Sequence, residues 1–119
     1  MWRVLVVEDD SLQADWLCDL LEGEGMEPVG PAPGAKAALE LLDTMPVDAG
    51  ILDIRLQDRL CFDVARMLGE RGVPFLFLTG SVGDVLPKEF QDVPLLRKPA
   101  EPSVLIDLLR SLLVRGHPG

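Results

Sequence analysis

The sequence predicts an α/β domain built on a parallel sheet with strand order 2-1-3-4-5. Apolar runs alternate with stretches of helical spacing along all 119 residues, the pattern of strands and crossover helices. The runs at 4–7, 50–52 and 75–78 are near-continuously apolar, as strands covered on both faces should be. Each run ends in a residue fit for phosphate chemistry: Glu8-Asp9-Asp10 after the first, Asp53 after the third, Thr79 after the fourth. A weaker run, Leu95-Leu96-Arg97, ends in Lys98. Parallel strands place all these ends along one sheet edge, where open α/β sheets bind their ligands. The order 2-1-3-4-5 makes the first and third strands neighbours, so that Glu8, Asp9 and Asp53 face one another.

The elements follow in turn. Residues 2–7 form the first strand. Asp10 or Ser11 caps the next helix, with Gln13 completing a loose capping box. Leu12, Trp16, Leu17, Leu20 and Leu21 supply its apolar stripe, and Gly23 and Gly25 end it. Pro28-Val29-Gly30 is a short second strand. Residues 34–42, rich in alanine and leucine, form a helix that Pro46 closes. The third strand is 49–53. Residues 60–70 form a helix with Phe62, Val64, Ala65, Met67 and Leu68 available to the core, and 75–79 form the fourth strand. Gly80, Gly83 and Pro87 break up the stretch 80–92, so a fourth helix there is short or mobile. The fifth strand is 94–97. Pro102 opens the last helix, with Leu105, Leu108, Leu109, Leu112 and Leu113 on its apolar face.

Composition narrows the function. At 48% apolar residues, disorder is excluded. The size suits one domain, 1–119, with 115–119 a frayed tail. No apolar run is long enough to span a bilayer, and Met1-Trp2-Arg3 leads straight into a strand, so the expected location is the cytoplasm with no membrane partner. Eleven basic against 20 acidic residues give a net charge of −9, which repels nucleic acid. Cys18 and Cys61 form no metal or redox pair and read as reduced thiols. The single histidine, His117, cannot make a histidine-based metal site.

Three carboxylates at close range cannot all stay ionised cheaply, and a divalent cation resolves that conflict. An all-oxygen set suits magnesium, which takes one or two carboxylates and keeps water and phosphate oxygens. Asp53, ending the central strand, is the candidate nucleophile toward phosphorus. Lys98 would offset charge on the transferring oxygens, and Thr79 could donate a hydrogen bond to one of them. Singly, each of these residues reads equally well as a cap, a turn residue or a solvated lysine. Asp10 in particular reads as a cap. Four such residues at four strand ends, in one order, point jointly to a site.

At these residues the chain resembles a response-regulator receiver domain, the phosphoacceptor module of two-component signalling. Val4-Leu5-Val6-Val7-Glu8-Asp9-Asp10 is similar to the family's acidic opening, Val47-Asp48-Ala49-Gly50-Ile51-Leu52-Asp53 to its phosphoacceptor strand, Leu78-Thr79 to its switch residue and Arg97-Lys98-Pro99 to its Lys-Pro pair. The resemblance implies a flavodoxin-like (βα)5 sandwich and an Mg2+ ion held by Asp9, Asp53 and the main-chain carbonyl of Arg55, with Glu8 acting through water. It implies transfer of a phosphoryl group to Asp53 from a histidine kinase or a histidine phosphotransfer protein, contacts from Thr79 and Lys98 to the phosphoryl oxygens, and a cis Lys98–Pro99 bond. No separate substrate is implied, so the chain is not expected to be an enzyme in its own right.

The departures from the family pattern matter. Receivers usually carry Tyr or Phe three residues before the lysine, where this chain has Leu95. The loop 54–61 lacks the Met-Pro common in the family, and Gly80 follows Thr79 in place of the usual alanine. Pro74-Phe75-Leu76-Phe77-Leu78-Thr79-Gly80 is similar to the Pro-Phe-x-Phe-Ala-Thr-Gly motif of single-domain receivers known mainly from alphaproteobacteria. Leu78 replaces the motif's alanine and Ser81 its following aromatic. That likeness implies HWE and related histidine kinases as partners. The expected output is a change, on phosphorylation, in the face built from 80–92, the fifth strand and the last helix. The last helix also offers a homodimer face, although covering its own core stripe accounts for most of it. Rival readings are a receiver-shaped interaction module that is never phosphorylated and a haloacid-dehalogenase-type phosphatase. The phosphatase would need an acid where Arg55 stands. The tail from Arg115 equally fits the start of a linker in a longer protein.

Overall fold

A computed structural model of the chain describes residues 1–81 and 86–116. The apolar runs pair as a five-stranded parallel sheet of order β2-β1-β3-β4-β5, comprising β1 (Arg3–Val7), β2 (Glu27–Ala32), β3 (Ala49–Asp53), β4 (Phe75–Thr79) and β5 (Leu95–Arg97). The helices are α1 (Ser11–Gly23), α2 (Ala35–Thr44), α3 (Phe62–Glu70) and α4 (Pro102–Gly116). This is the predicted α/β, flavodoxin-like sandwich with the predicted strand order.

Successive side chains of a strand point to opposite faces, so the central strands feed two cores. Leu5, Val7, Leu52, Phe75 and Phe77 pack with α2 and α3 on one face. Val4, Val6, Ile51, Leu76 and Leu78 pack with α1 and α4 on the other. Gly50 permits a close approach, since a Cβ there would lie 2.9 Å from Leu68 Cδ1 of α3.

Several boundaries and faces differ from the sequence reading. In α1 the buried residues are Ala14, Leu17 and Leu21, whereas Leu12 is 80% and Trp16 37% exposed. At about 100° per residue, Leu12 falls on the side of the helix opposite Ala14 and Trp16 a quarter-turn from Leu17, so neither belongs to the core stripe. β1 starts at Arg3, and β2 spans Glu27–Ala32, longer than expected. α2 starts after Gly34 and continues to Thr44.

α3 starts at Phe62 rather than Leu60 because 54–61 close into a small hairpin. Arg55 bridges Leu60, and Cys61 N donates to Ile54 O at 3.0 Å. β5 starts at Leu95, because Pro94 has no N–H to give the ladder. Pro94 still accepts from Phe77 N at 2.9 Å. Among the described residues, the short fourth helix expected over 80–92 is only a 3-10 turn, Lys88–Phe90, and 82–85 of that stretch lie outside the description. α4 buries Leu105, Leu109 and Leu113. It runs through Arg115 and Gly116, which were expected to be frayed; His117 and the rest of the tail lie outside the described residues.

Candidate functional site: an acidic cluster at the carboxyl edge of the sheet

The pairing of β1 with β3 sets Val7 opposite Leu52. The next residue on each strand, Glu8 and Asp53, therefore leaves the sheet at the same level. Carboxylate oxygens of Glu8, Asp9 and Asp53 all lie within 4.8 Å of one another. Glu8 and Asp53 are 2% and 6% exposed, while Asp9 faces solvent. Asp10 stands apart as the N-cap of α1, its Oδ1 accepting from Leu12 N at 2.9 Å and Gln13 N at 3.2 Å.

Lys98 enters from beyond β5. Its backbone N donates to Thr79 O at 2.8 Å, which fixes where the side chain starts. Its Nζ donates to Glu8 Oε1 at 2.6 Å and to Asp53 Oδ2 at 3.0 Å. One ammonium thus serves two buried carboxylates that would otherwise repel across a low-dielectric gap. The Lys98–Pro99 bond is cis, and so is Gly30–Pro31.

The electrostatics record that conflict. Burial, followed by a hydrogen bond and repulsion from Asp53, raises the Glu8 pKa despite Lys98. Partial desolvation on its inward side, then the hydrogen bond and repulsion from Glu8, raise Asp9 although much of its surface meets solvent. Burial alone would lower Lys98, but its hydrogen bonds to Glu8 and Asp53 outweigh that and raise it. Three hard oxygen donors facing one point, with more negative charge than one lysine offsets, are a donor set suited to a small divalent cation such as Mg2+.

Thr79 is buried at the end of β4, one residue past Leu78, the partner of Asp53. Its hydroxyl accepts from Ser81 N at 3.1 Å and lies 3.3 Å from Ser81 O. Arg55 sits two residues beyond Asp53, at the root of the hairpin. The structure therefore gathers Glu8, Asp9, Asp53 and Lys98 in one group, with Thr79 on the adjacent strand and Arg55 on the adjacent loop.

Two features escaped the sequence reading. Asp58, at the hairpin tip, accepts from the first backbone N–H groups of α2. All four phenylalanines, Phe62, Phe75, Phe77 and Phe90, form one ring cluster, with Arg66 over Phe90. Both depend on partners distant in sequence, so no local pattern announces them.

A parallel 2-1-3-4-5 sheet with acids at the ends of β1 and β3 and a lysine just after β5 places the chain in the flavodoxin-like class of α/β domains. The family model of the response regulator receiver domain matches residues 4–110, and the chain belongs to that family. It is similar to SdrG from Sphingomonas melonis Fr1, whose solution structure aligns with a TM-score of 0.83 and 36% identity over 96% of this chain and 98% of that one. The receiver domain of PhyR from Erythrobacter litoralis aligns with a TM-score of 0.73 and 25% identity, covering 97% of this chain and 88% of that one. The DNA-binding response regulator MtrA of Mycobacterium tuberculosis is 33% identical over 118 residues, 96% of this chain and 51% of MtrA. The chain thus spans about half the length of the curated relatives it matches. No helix among the described residues is long and apolar enough to cross a membrane.

Proposed function

We propose that this chain is a phosphoacceptor receiver in which Asp53 takes a phosphoryl group from a phosphohistidine on a histidine kinase or a histidine phosphotransfer protein. The carrying observation is the grouping of three carboxylates with Lys98 Nζ 3.0 Å from Asp53 Oδ2. A carboxylate oxygen of Asp53 attacks phosphorus, the P–N bond breaks, and the imidazole leaves with its electron pair and takes up a proton. The product is an acyl phosphate.

Asp9, Asp53 and the Arg55 carbonyl would hold Mg2+, with Glu8 acting through water, and bound Mg2+ would neutralise charge on the phosphoryl oxygens. Lys98 would offset further charge on the phosphoryl oxygens. The Thr79 hydroxyl would turn from Ser81 toward a phosphoryl oxygen, and that exchange of partners would reorder the segment after β4. The face formed by that segment, β5 and α4 would then meet a downstream protein or a second copy.

The motif over Pro74–Gly80 supports HWE-type kinases as donors. The net charge of −9 supports a protein rather than a nucleic-acid partner for this segment, and a cytoplasmic setting follows from the kinase. We take 1–119 as one such module.

The test is incubation with acetyl phosphate and Mg2+, read by intact mass. One added phosphoryl group is expected, absent in Asp53→Asn and without Mg2+. No gain from either acetyl phosphate or a phosphorylated kinase would favour an unphosphorylated interaction module. Sustained turnover of a phosphomonoester would favour a phosphatase.

A further inference from the structure

We infer that Asp58 is a positioning residue for the acidic site, clamping the β3–α3 hairpin to α2 so that the main chain at Arg55 keeps its place beside Asp53. The inference rests on the reading of that site as a Mg2+-dependent phosphoacceptor.

A helix leaves its first backbone N–H groups without partners, and a Ser, Thr, Asp or Asn at the cap position normally serves them. The cap residue of α2 is Gly34, which has no side chain to offer. Asp58 supplies the acceptors from another element: Oδ1 accepts from Ala35 N at 2.9 Å and Oδ2 from Lys36 N at 3.0 Å. The two positions are complementary. A Cβ on Gly34 would stand 2.7 Å from Asp58 Oδ1 and 2.9 Å from its Cγ. The Gly34 backbone is extended, with φ −154°, a conformation any residue can adopt. Room for the carboxylate, rather than backbone freedom, is what glycine provides there.

A local cap would satisfy the helix equally well. A cap brought in from 22 and 23 residues away does one thing a local cap cannot, which is to tie two elements together. Asp58 sits at a hairpin tip closed by Leu56 N donating to Arg59 O at 3.2 Å. Below it Arg55 pairs with Leu60, and Cys61 N reaches Ile54 O at 3.0 Å. Ile54 N continues the sheet ladder by donating to Leu78 O at 3.1 Å. The hairpin is thus held at its root by the sheet and at its tip by α2. Arg55, two residues past Asp53, lies between those two anchors. Groups that orient a metal ligand from outside affect affinity even though they do not touch the ion.

The experiment is calorimetric Mg2+ titration of the whole, unphosphorylated chain, paired with thermal unfolding in Mg2+-free buffer and amide exchange over 54–61. Three variants are used: Asp58→Ala, Asp58→Asn and the double variant Asp58→Ala with Gly34→Asp. The double variant returns a local cap to α2 without the tie. Asp58→Ala should lower Tm and weaken Mg2+ binding on the order of tenfold. The double variant should recover Tm while Mg2+ binding stays weak and exchange over 54–61 stays fast. Mg2+ binding by Asp58→Ala as tight as the parent's, or recovered along with Tm in the double variant, would overturn the inference and leave Asp58 a helix cap only. If Asp58→Ala does not fold, Asp58→Asn, which keeps one acceptor oxygen, carries the same comparison. A parent chain that binds no Mg2+ sinks the site reading itself, whereas a parent that binds beside an equally tight Asp58→Ala sinks only the role of Asp58.

Discussion

At the carboxyl ends of β1 and β3, Glu8 and Asp53 are carried by strands paired on both sides and are buried to within a few per cent of their surface. At the ends of β4 and β5 the construction is looser. β5 is a three-residue edge strand whose Leu95 is 38% exposed, and the Thr79 hydroxyl is engaged with Ser81 in its own loop. The difference separates two tasks. The acidic half is held in position by the core, which sets the like charges of Glu8 and Asp53 side by side with Lys98 between them. The Thr79 hydroxyl, though buried, bonds within its own loop, and it adjoins the thinly paired edge strand β5. Lys98 spans the two halves: its chain belongs to the β5 side and its ammonium to the acids.

The largest expected effect tests that division directly. Asp53→Asn should lose all phosphoryl gain from acetyl phosphate by intact mass. Thr79→Ala should still gain the group but lose the phosphorylation-dependent change in amide exchange over 86–92. Loss of phosphoryl gain in both would erase the separation of tasks.

Next in size is the packing contrast. Ile51→Ala in β3 or Leu76→Ala in β4 removes a fully buried side chain and should cost about 2–5 kcal/mol in urea unfolding. Leu95→Ala should cost less than about 1 kcal/mol, because much of that side chain already meets water. Equal costs would mean that β5 is held as firmly as the centre.

Smaller again is the effect of metal. Mg2+ at a hundredfold its Kd should stabilise the fold by about 2.7 kcal/mol, and Asp9→Asn should remove most of that gain. A Tm indifferent to Mg2+ in the parent would contradict the cation site.

The smallest effect is in the acid range, where two carboxylates should act with opposite signs in Mg2+-free buffer. Hydrogen bonds from Lys36 and Ala35 lower the pKa of Asp58 below its ordinary 3.8. Its stabilisation is therefore present above that value and lost as pH falls through the folded-state pKa. Burial raises Glu8 above its ordinary 4.5, so its contribution is full below that value and lost as pH rises through the folded-state pKa. Urea unfolding across that range should show Asp58→Asn and Glu8→Gln shifting the pH slope in opposite directions. Shifts in the same direction would contradict one of the two assignments.

What was legible in the sequence was whatever repeats with a local period or sits at an element boundary. The near-continuous apolar runs give β1, β3 and β4, the strand ends place Glu8, Asp9, Asp53, Thr79 and Lys98, and Asp10 caps its helix as read. Local reading misjudged Leu12 and Trp16, because hydrophobicity alone does not say which side of a helix meets the sheet. It also started α3 two residues early, because the hairpin pairing of Arg55 with Leu60 carries no periodic signal.

The sequence by itself determined the alternation of elements, the parallel sheet and which candidate residues stand at the strand ends, since side-chain period and strand-end position are properties of neighbours along the chain. Only the tertiary structure decided that Lys98 bridges Glu8 and Asp53 and that Asp58 caps a helix 23 residues upstream of it. Each of these depends on where side chains end after the core has packed, and no local pattern of residues encodes that position.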